Sequence, residues 1–165
     1  MADKTLAERL QPSLLDRLTD NGPGNLKESR DSRVIDISRL RDIIQRDLSW
    51  LLNTTNTENS FDAAALPNVS RSVVNYGLRE GSGEFSTAER AEKIRRSIQR
   101  AISVYEPRII EGTVDVTLNP DGEGSDMMVA LIIRADMWAQ PLPLELYLRS
   151  QVDVTTGEIS VEGNR

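Results

Sequence analysis

The sequence contains neither histidine nor cysteine. Without histidine it lacks the commonest general base and the commonest transition-metal ligand, so Ser-His-Asp and Cys-His catalysis and ordinary zinc sites are excluded. Without cysteine it forms no disulfides, which fits a reducing cytosol. Aromatic residues make up only 4% of the chain, a poor supply for a stacked sugar cleft. The longest apolar run, residues 127–133, is far shorter than the ~20 residues that cross a bilayer. Residues 1–10 are charged rather than signal-like, and no glycine-rich phosphate cradle is present. Membrane insertion, a cofactor, a metal and a small-molecule substrate are not expected.

What is there describes one acidic globular chain. Its 165 residues, 38% hydrophobic and 28% charged, suffice for a single core. The net charge of -6 argues against a nucleic-acid binder, because phosphate neutralisation needs concentrated Lys and Arg.

Apolar periodicity divides the chain into helices followed by strands. Leu6, Leu10, Leu14, Leu15 and Leu18 place leucines on one side of one or two short helices, interrupted near Pro12. Residues 20–25 then break the chain. We therefore divide it into a leucine-rich helical segment, 1–25, and a single α+β domain, 26–165. The leucine helix either packs on its own domain or is donated to a partner groove.

The first long helix covers residues 36–53. Ile37, Leu40, Ile43, Ile44, Leu48, Leu51 and Leu52 recur at helical spacing, Asp36 or Ser38 caps the start, and Asn53 begins a polar stop. A short turn from Asn68 ends at a left-handed Gly77, with Tyr76 packed beneath, and Gly81-Ser82-Gly83 reads as a link. Ser86 and Glu89 form a capping box for a second helix, whose stripe is Ala91, Ile94, Ile98, Ala101, Ile102 and Tyr105. Its other face is basic: Arg90, Lys93, Arg95, Arg96 and Arg100. Such faces are ordinarily solvated, although clustering with Arg108 would favour a subunit contact. Pro107 stops this helix.

From Gly112 onward the period is two. Val114, Val116 and Leu118 alternate with polar residues, and residues 119–124 form a hairpin loop. Residues 127–135, apolar on both faces, read as a central strand. Leu142, Leu144, Leu146 and Leu148 mark a third strand, and Thr155-Thr156-Gly157 turns into a short fourth around Ile159 and Val161. The predicted fold is α+β, with N-terminal helices packed on one face of an antiparallel β-meander of three to four strands. Trp50 and Trp138 are expected in the core or at the sheet edge.

Four patterns, in this order, resemble the TssE family of type VI secretion baseplates and its contractile phage-tail relatives. They are Arg46-Asp47-Leu48 with Leu51-Leu52-Asn53-Thr54; Ser72-Val73-Val74-Asn75-Tyr76-Gly77-Leu78; Tyr105-Glu106-Pro107-Arg108; and the strand pair from Leu142 with Val152-Asp153 and Thr156-Gly157. The third carries the Glu-Pro-Arg signature and is the most specific. Thr55 stands where the family usually has arginine, and Arg79-Glu80 where it often has Pro-Asp. The resemblance implies a bacterial cytoplasmic, non-enzymatic baseplate subunit at the inner face of the envelope. It also implies other wedge subunits and contractile sheath proteins as partners, with the sheath nucleated through an open sheet edge. Interface positions are then Glu106, Pro107, Arg108, Leu10, Leu14, Leu15, Leu18, Asn53 and Tyr76.

Two other readings use the same residues. The fold family also includes a small regulatory anti-adaptor, so a free-standing binding protein is the alternative. Family members have also been labelled lysozyme-like, which would make Glu106 an acid. Arg108 beside it favours the carboxylate, the wrong state for that task. Asp121, Glu123 and Asp126 resemble a calcium loop, but its twelfth-position acid would fall at Ile132, inside a strand.

Overall fold

A computed structural model describes residues 12–20, 22–24, 35–79, 87–119, 128–138 and 143–163. The helices are α1 (Leu14–Leu18), α2 (Ile37–Leu52), the single turn α3 (Pro67–Ser70) and α4 (Thr87–Tyr105). They precede strands β1 (Asp115–Leu118), β2 (Met128–Met137), β3 (Leu144–Asp153) and β4 (Ile159–Gly163). All four strands pair antiparallel in chain order, which is the expected α+β meander. Leu10, Ser86, Leu142, the link at 81–83 and the acidic loop residues Asp121, Glu123 and Asp126 lie outside the described residues.

Helix α2 forms where the leucine and isoleucine stripe predicts it. The Asp36 carboxylate accepts the Arg39 amide at 2.7 Å, and Asn53 closes the C-terminus. Leu40, Ile43, Ile44, Leu48, Leu51 and Leu52 are buried against Ile98, Ala101 and Ile102 of α4 and one face of the sheet. That face carries Val116, Leu131, Ile133, Met137, Leu146, Leu148 and Ile159. Each buried aliphatic side chain contributes about 1.5–3 kcal/mol.

Among the described residues, the helices cover only this face. The opposite side of β2 is half-buried or exposed, and there Arg134 lies over the Tyr147 ring across the strand pair. Residues 128–133 are apolar on both sides, yet among the described residues no second helical layer covers the outer one. Leu118 was expected on the buried face, yet it is exposed because it lies at the far end of β1, beyond the helix cover. Trp50 is not core either: it falls off the buried stripe of α2 and is 52% exposed. Trp138 is exposed just beyond the end of β2.

Gly77 has φ +116° and sits where a Cβ would come 2.1 Å from the Thr54 carbonyl oxygen. Its positive φ is as expected, but the turn from Asn68 ends at Ser70 and a separate 3-10 turn, Val73–Asn75, intervenes, so Gly77 is required chiefly by the close contact. The contact lets Leu78 donate to Thr54 O at 2.7 Å and Asn56 donate to Leu78 O at 2.8 Å, stitching this segment to the end of α2. Among the described residues, no helix is long and apolar enough to cross a membrane.

Candidate interaction site at the helix-to-sheet joint

The joint is built by Pro107. The amide of Glu106 still bonds to Ile102 O, but Pro107 has no donor, so α4 stops and the chain turns through Ile109 N to Glu106 O. Residues 108–110 are then sewn to the end of β2: Trp138 N donates to Arg108 O at 2.7 Å, and Ile110 N donates to Asp136 O at 2.8 Å. The backbone around Arg108 is thus held by both the helix and the sheet.

Glu106 is buried, 6% exposed, and points inward. Arg108 donates to one of its oxygens through the backbone amide and through Nε at 2.6 Å, and to the other through Nη2. The same Nη2 donates to Asp47 of α2 at 2.7 Å. Asp47 accepts Arg46 Nε and Nη2 through its other oxygen, and Arg46 Nη1 reaches Asp16 of α1 at 2.6 Å. The result is one alternating row of charge, Glu106, Arg108, Asp47, Arg46 and Asp16, running from the joint across α2 to α1. Both oxygens of Glu106 are engaged by Arg108, a geometry that suits a structural carboxylate.

The protonation equilibria follow this geometry. Burial alone would lower the Arg108 pKa, but hydrogen bonds and charge from Glu106 and Asp47 outweigh it and raise it. The Arg46 hydrogen bond chiefly holds the Asp16 carboxyl below its ordinary value. Burial raises the Tyr76 hydroxyl, with the nearby negative charges of Asp47 and Glu106 adding to the effect.

Other predicted positions lie around this row or elsewhere. Tyr76 packs edge-on against Tyr105, centroids 5.5 Å apart, and the Tyr105 hydroxyl donates to Asn75 O at 2.7 Å. Pro107 is exposed. Ser13 caps α1, whose Asp16 is the anchoring residue, while Leu14, Leu15 and Leu18 are 71%, 48% and 75% exposed. Trp50 extends this outer surface, with the Arg46 guanidinium 4.9 Å from its ring centre.

Asn53 stands apart from the charged row. Its carboxamide accepts Ile159 N at 2.9 Å and donates to Ile159 O at 2.8 Å, imitating a neighbouring strand on the outer edge of β4. Gln45 continues the imitation by donating to Val161 O at 2.9 Å. On the opposite edge, Gln99 and Arg95 of α4 donate to Val114 O, just before β1, and to Val116 O within it. The basic residues of the two long helices also separate. Arg46 joins Arg108, whereas the basic residues of α4 serve β1 or line a groove.

The model of the family described as baseplate wedge protein gp25 matches residues 38–142. The chain belongs to the gp25 baseplate wedge family. The match contains Asn53, Tyr76 and the Glu106-Pro107-Arg108 joint, and excludes α1 and the strands β3 and β4. Family membership gives the chain a structural role in a phage-tail-like baseplate, in the company of other baseplate proteins. No curated protein and no solved structure matches the chain.

Sequence reasoning selected Glu106 and Arg108 but not their partners. Asp47 and Arg46 stood in the first of the four family patterns, so a signal existed. Asp16, 30 residues from Arg46, had none beyond its place among the leucines.

Proposed function

We propose that this chain is the TssE-type wedge subunit of a type VI secretion baseplate, acting by docking and without catalysis. The observation that carries the proposal is the charged row. It uses Glu106 to position Arg108 and anchors α1 by its polar side, and Leu14, Leu15, Leu18, Trp50 and Pro107 are exposed along its course beside the partly exposed Arg46 and Arg108. An apolar surface studded with arginines suits a protein partner, because Arg and Trp supply the largest share of binding energy at such contacts. Residues 1–25 form the docking arm in this reading, and residues 26–165 the body that carries it.

The second role we assign is nucleation of the contractile sheath through an edge of the sheet. The far end of β1 supports it. Gln99 and Arg95 hold the carbonyls at residues 114 and 116, whereas Leu118 beyond them is exposed and offers an apolar side chain to an added strand.

The test is a chromosomal Glu106→Ala, Arg108→Ala double variant in a cell that builds sheaths. With both charges removed together, the monomer is expected to fold, by circular dichroism, and sheath assembly to be abolished. Normal sheaths in cells containing the folded variant would refute the docking role of the joint.

A further inference from the structure

A second surface lies away from the charged row and uses none of its charged residues. The basic side of α4, the loop after α2 with residues 77–79, and the turn between β3 and β4 line a groove of about 1270 Å³. This is larger than the roughly 300–1000 Å³ of ordinary small-molecule sites and is partly open to solvent, so its size suits a peptide segment.

The groove is chemically two-sided. Leu78, Ile94 and Val104 are partly exposed along its floor. Its described lining holds five basic residues against three acidic ones, Glu58, Asp153 and Glu158, in a chain whose net charge is -6. Most of the basic residues come from α4, where spacings of three and four residues bring Arg90, Lys93, Arg96 and Arg100 to one side. Arg79 joins them from the loop after α3, its Nε donating to Asn59 Oδ1 at 3.0 Å.

The acidic residues offset this positive charge only in part. Glu58 is already paired with Arg100 at 3.2 Å, and Asp153 turns its carboxylate into its own loop to accept the Thr155 and Thr156 amides. The Arg96 side chain is 73% exposed and paired with Glu92 at 2.7 Å, and that of Arg100 is 54% exposed. Exposed pairs of this kind are weak, so both guanidinium groups can exchange or share these partners with an incoming carboxylate. Guanidinium groups bind carboxylates in a bidentate fork.

We propose that this groove docks an acidic amphipathic segment of a partner protein, its apolar residues on Leu78, Ile94 and Val104 and its carboxylates along Arg79, Arg96 and Arg100. Charge complementarity and the apolar floor together select this occupant. A nucleic acid would use the arginines but has no use for an aliphatic floor, and the net negative charge of the chain repels a long polyanion. The inference goes beyond the wedge assignment, since it requires only the observed groove.

Fluorescence anisotropy on the full chain tests it with three labelled probes. One is a 16-residue peptide with Leu and Glu at helical spacing, the second the same peptide with Gln for every Glu, and the third a 16-nucleotide single-stranded DNA. The Glu peptide is expected to bind at least 10-fold more tightly than the Gln peptide, and to weaken as salt is added. Arg96→Glu should lower its affinity at least 10-fold and Arg96→Gln less, while Arg39→Glu on α2 leaves it unchanged. Circular dichroism confirms that each variant is folded. Equal binding of the Glu and Gln peptides, no binding of either, or equal effects of Arg39→Glu and Arg96→Glu would overturn the proposal. Tighter, Arg96-dependent binding of the DNA would also overturn it, in favour of a nucleic-acid groove.

Discussion

Arg108 reaches back across 61 residues to place Nη2 2.7 Å from the Asp47 carboxylate. This bond joins the end of α4 to the middle of α2, and Glu106 holds the guanidinium from below. A buried carboxylate whose cation is removed keeps its desolvation cost without compensation, and breaking such a pair from one side costs about 3–5 kcal/mol. Because Arg108 is partly exposed, the cost of Arg108→Ala should lie near or below the low end of that range, roughly 2–3 kcal/mol. Adding Glu106→Gln should recover part of it. Urea denaturation of the two single variants and the double variant measures the coupling. Strictly additive losses would show that the two side chains do not act as a pair.

The anchoring of α1 should depend on pH through Asp16. Its carboxyl is held below the ordinary value of 3.8, chiefly by the Arg46 hydrogen bond. The stabilisation is therefore present above 3.8 and is lost as pH falls through the lower, folded value. NMR of the α1 amides should show the helix docked from neutral pH down to about pH 4. Asp16→Asn should release it already at pH 7. Unchanged α1 shifts in that variant would mean the helix is held by something else.

Asn53 illustrates a role that its sequence neighbourhood concealed. It reads as a helix stop, which it is, but its carboxamide also closes the outer edge of β4 at Ile159. Asn53→Ala should cost about 1–2 kcal/mol, raise hydrogen exchange at the Ile159 amide, and favour concentration-dependent self-association through the bared edge. Wild-type protection at Ile159 would contradict this.

Gly77 tests the seam between the end of α2 and the following loop. Ala has neither the φ of +116° available cheaply nor room for its Cβ beside Thr54 O. Gly77→Ala should destabilise the chain by roughly 2–4 kcal/mol in thermal or urea unfolding. A loss below about 0.5 kcal/mol, the range of ordinary surface substitutions, would show that the seam yields easily.

Most of the fold was legible because its signals are local. The 3.6-residue stripes announced α2 and α4, period-two alternation announced the meander, and Pro107 marked the joint. What was hidden depends on distant partners. Asp16 meets Arg46, Asp47 meets Arg108, and Gln45 meets Val161 across stretches with no periodic signature. Trp50 was expected inside or at the sheet edge on hydrophobicity, yet its angular position on α2 and the Arg46 contact place it outside. Leu118 failed as a core residue for a related reason, since alternation assigns a face but not the extent of the layer covering it.

The central claim is that the outward leucines of α1, held in place by the charged row, are a docking surface. Leu14→Asp with Leu18→Asp tests it most directly, because both side chains are more than 70% exposed and contribute little to the core. The measurement is the amount of tagged chain recovered in purified baseplates, relative to other wedge subunits. The account predicts a folded variant with wild-type thermal stability that is absent from the assembly. Recovery at the wild-type level would contradict it.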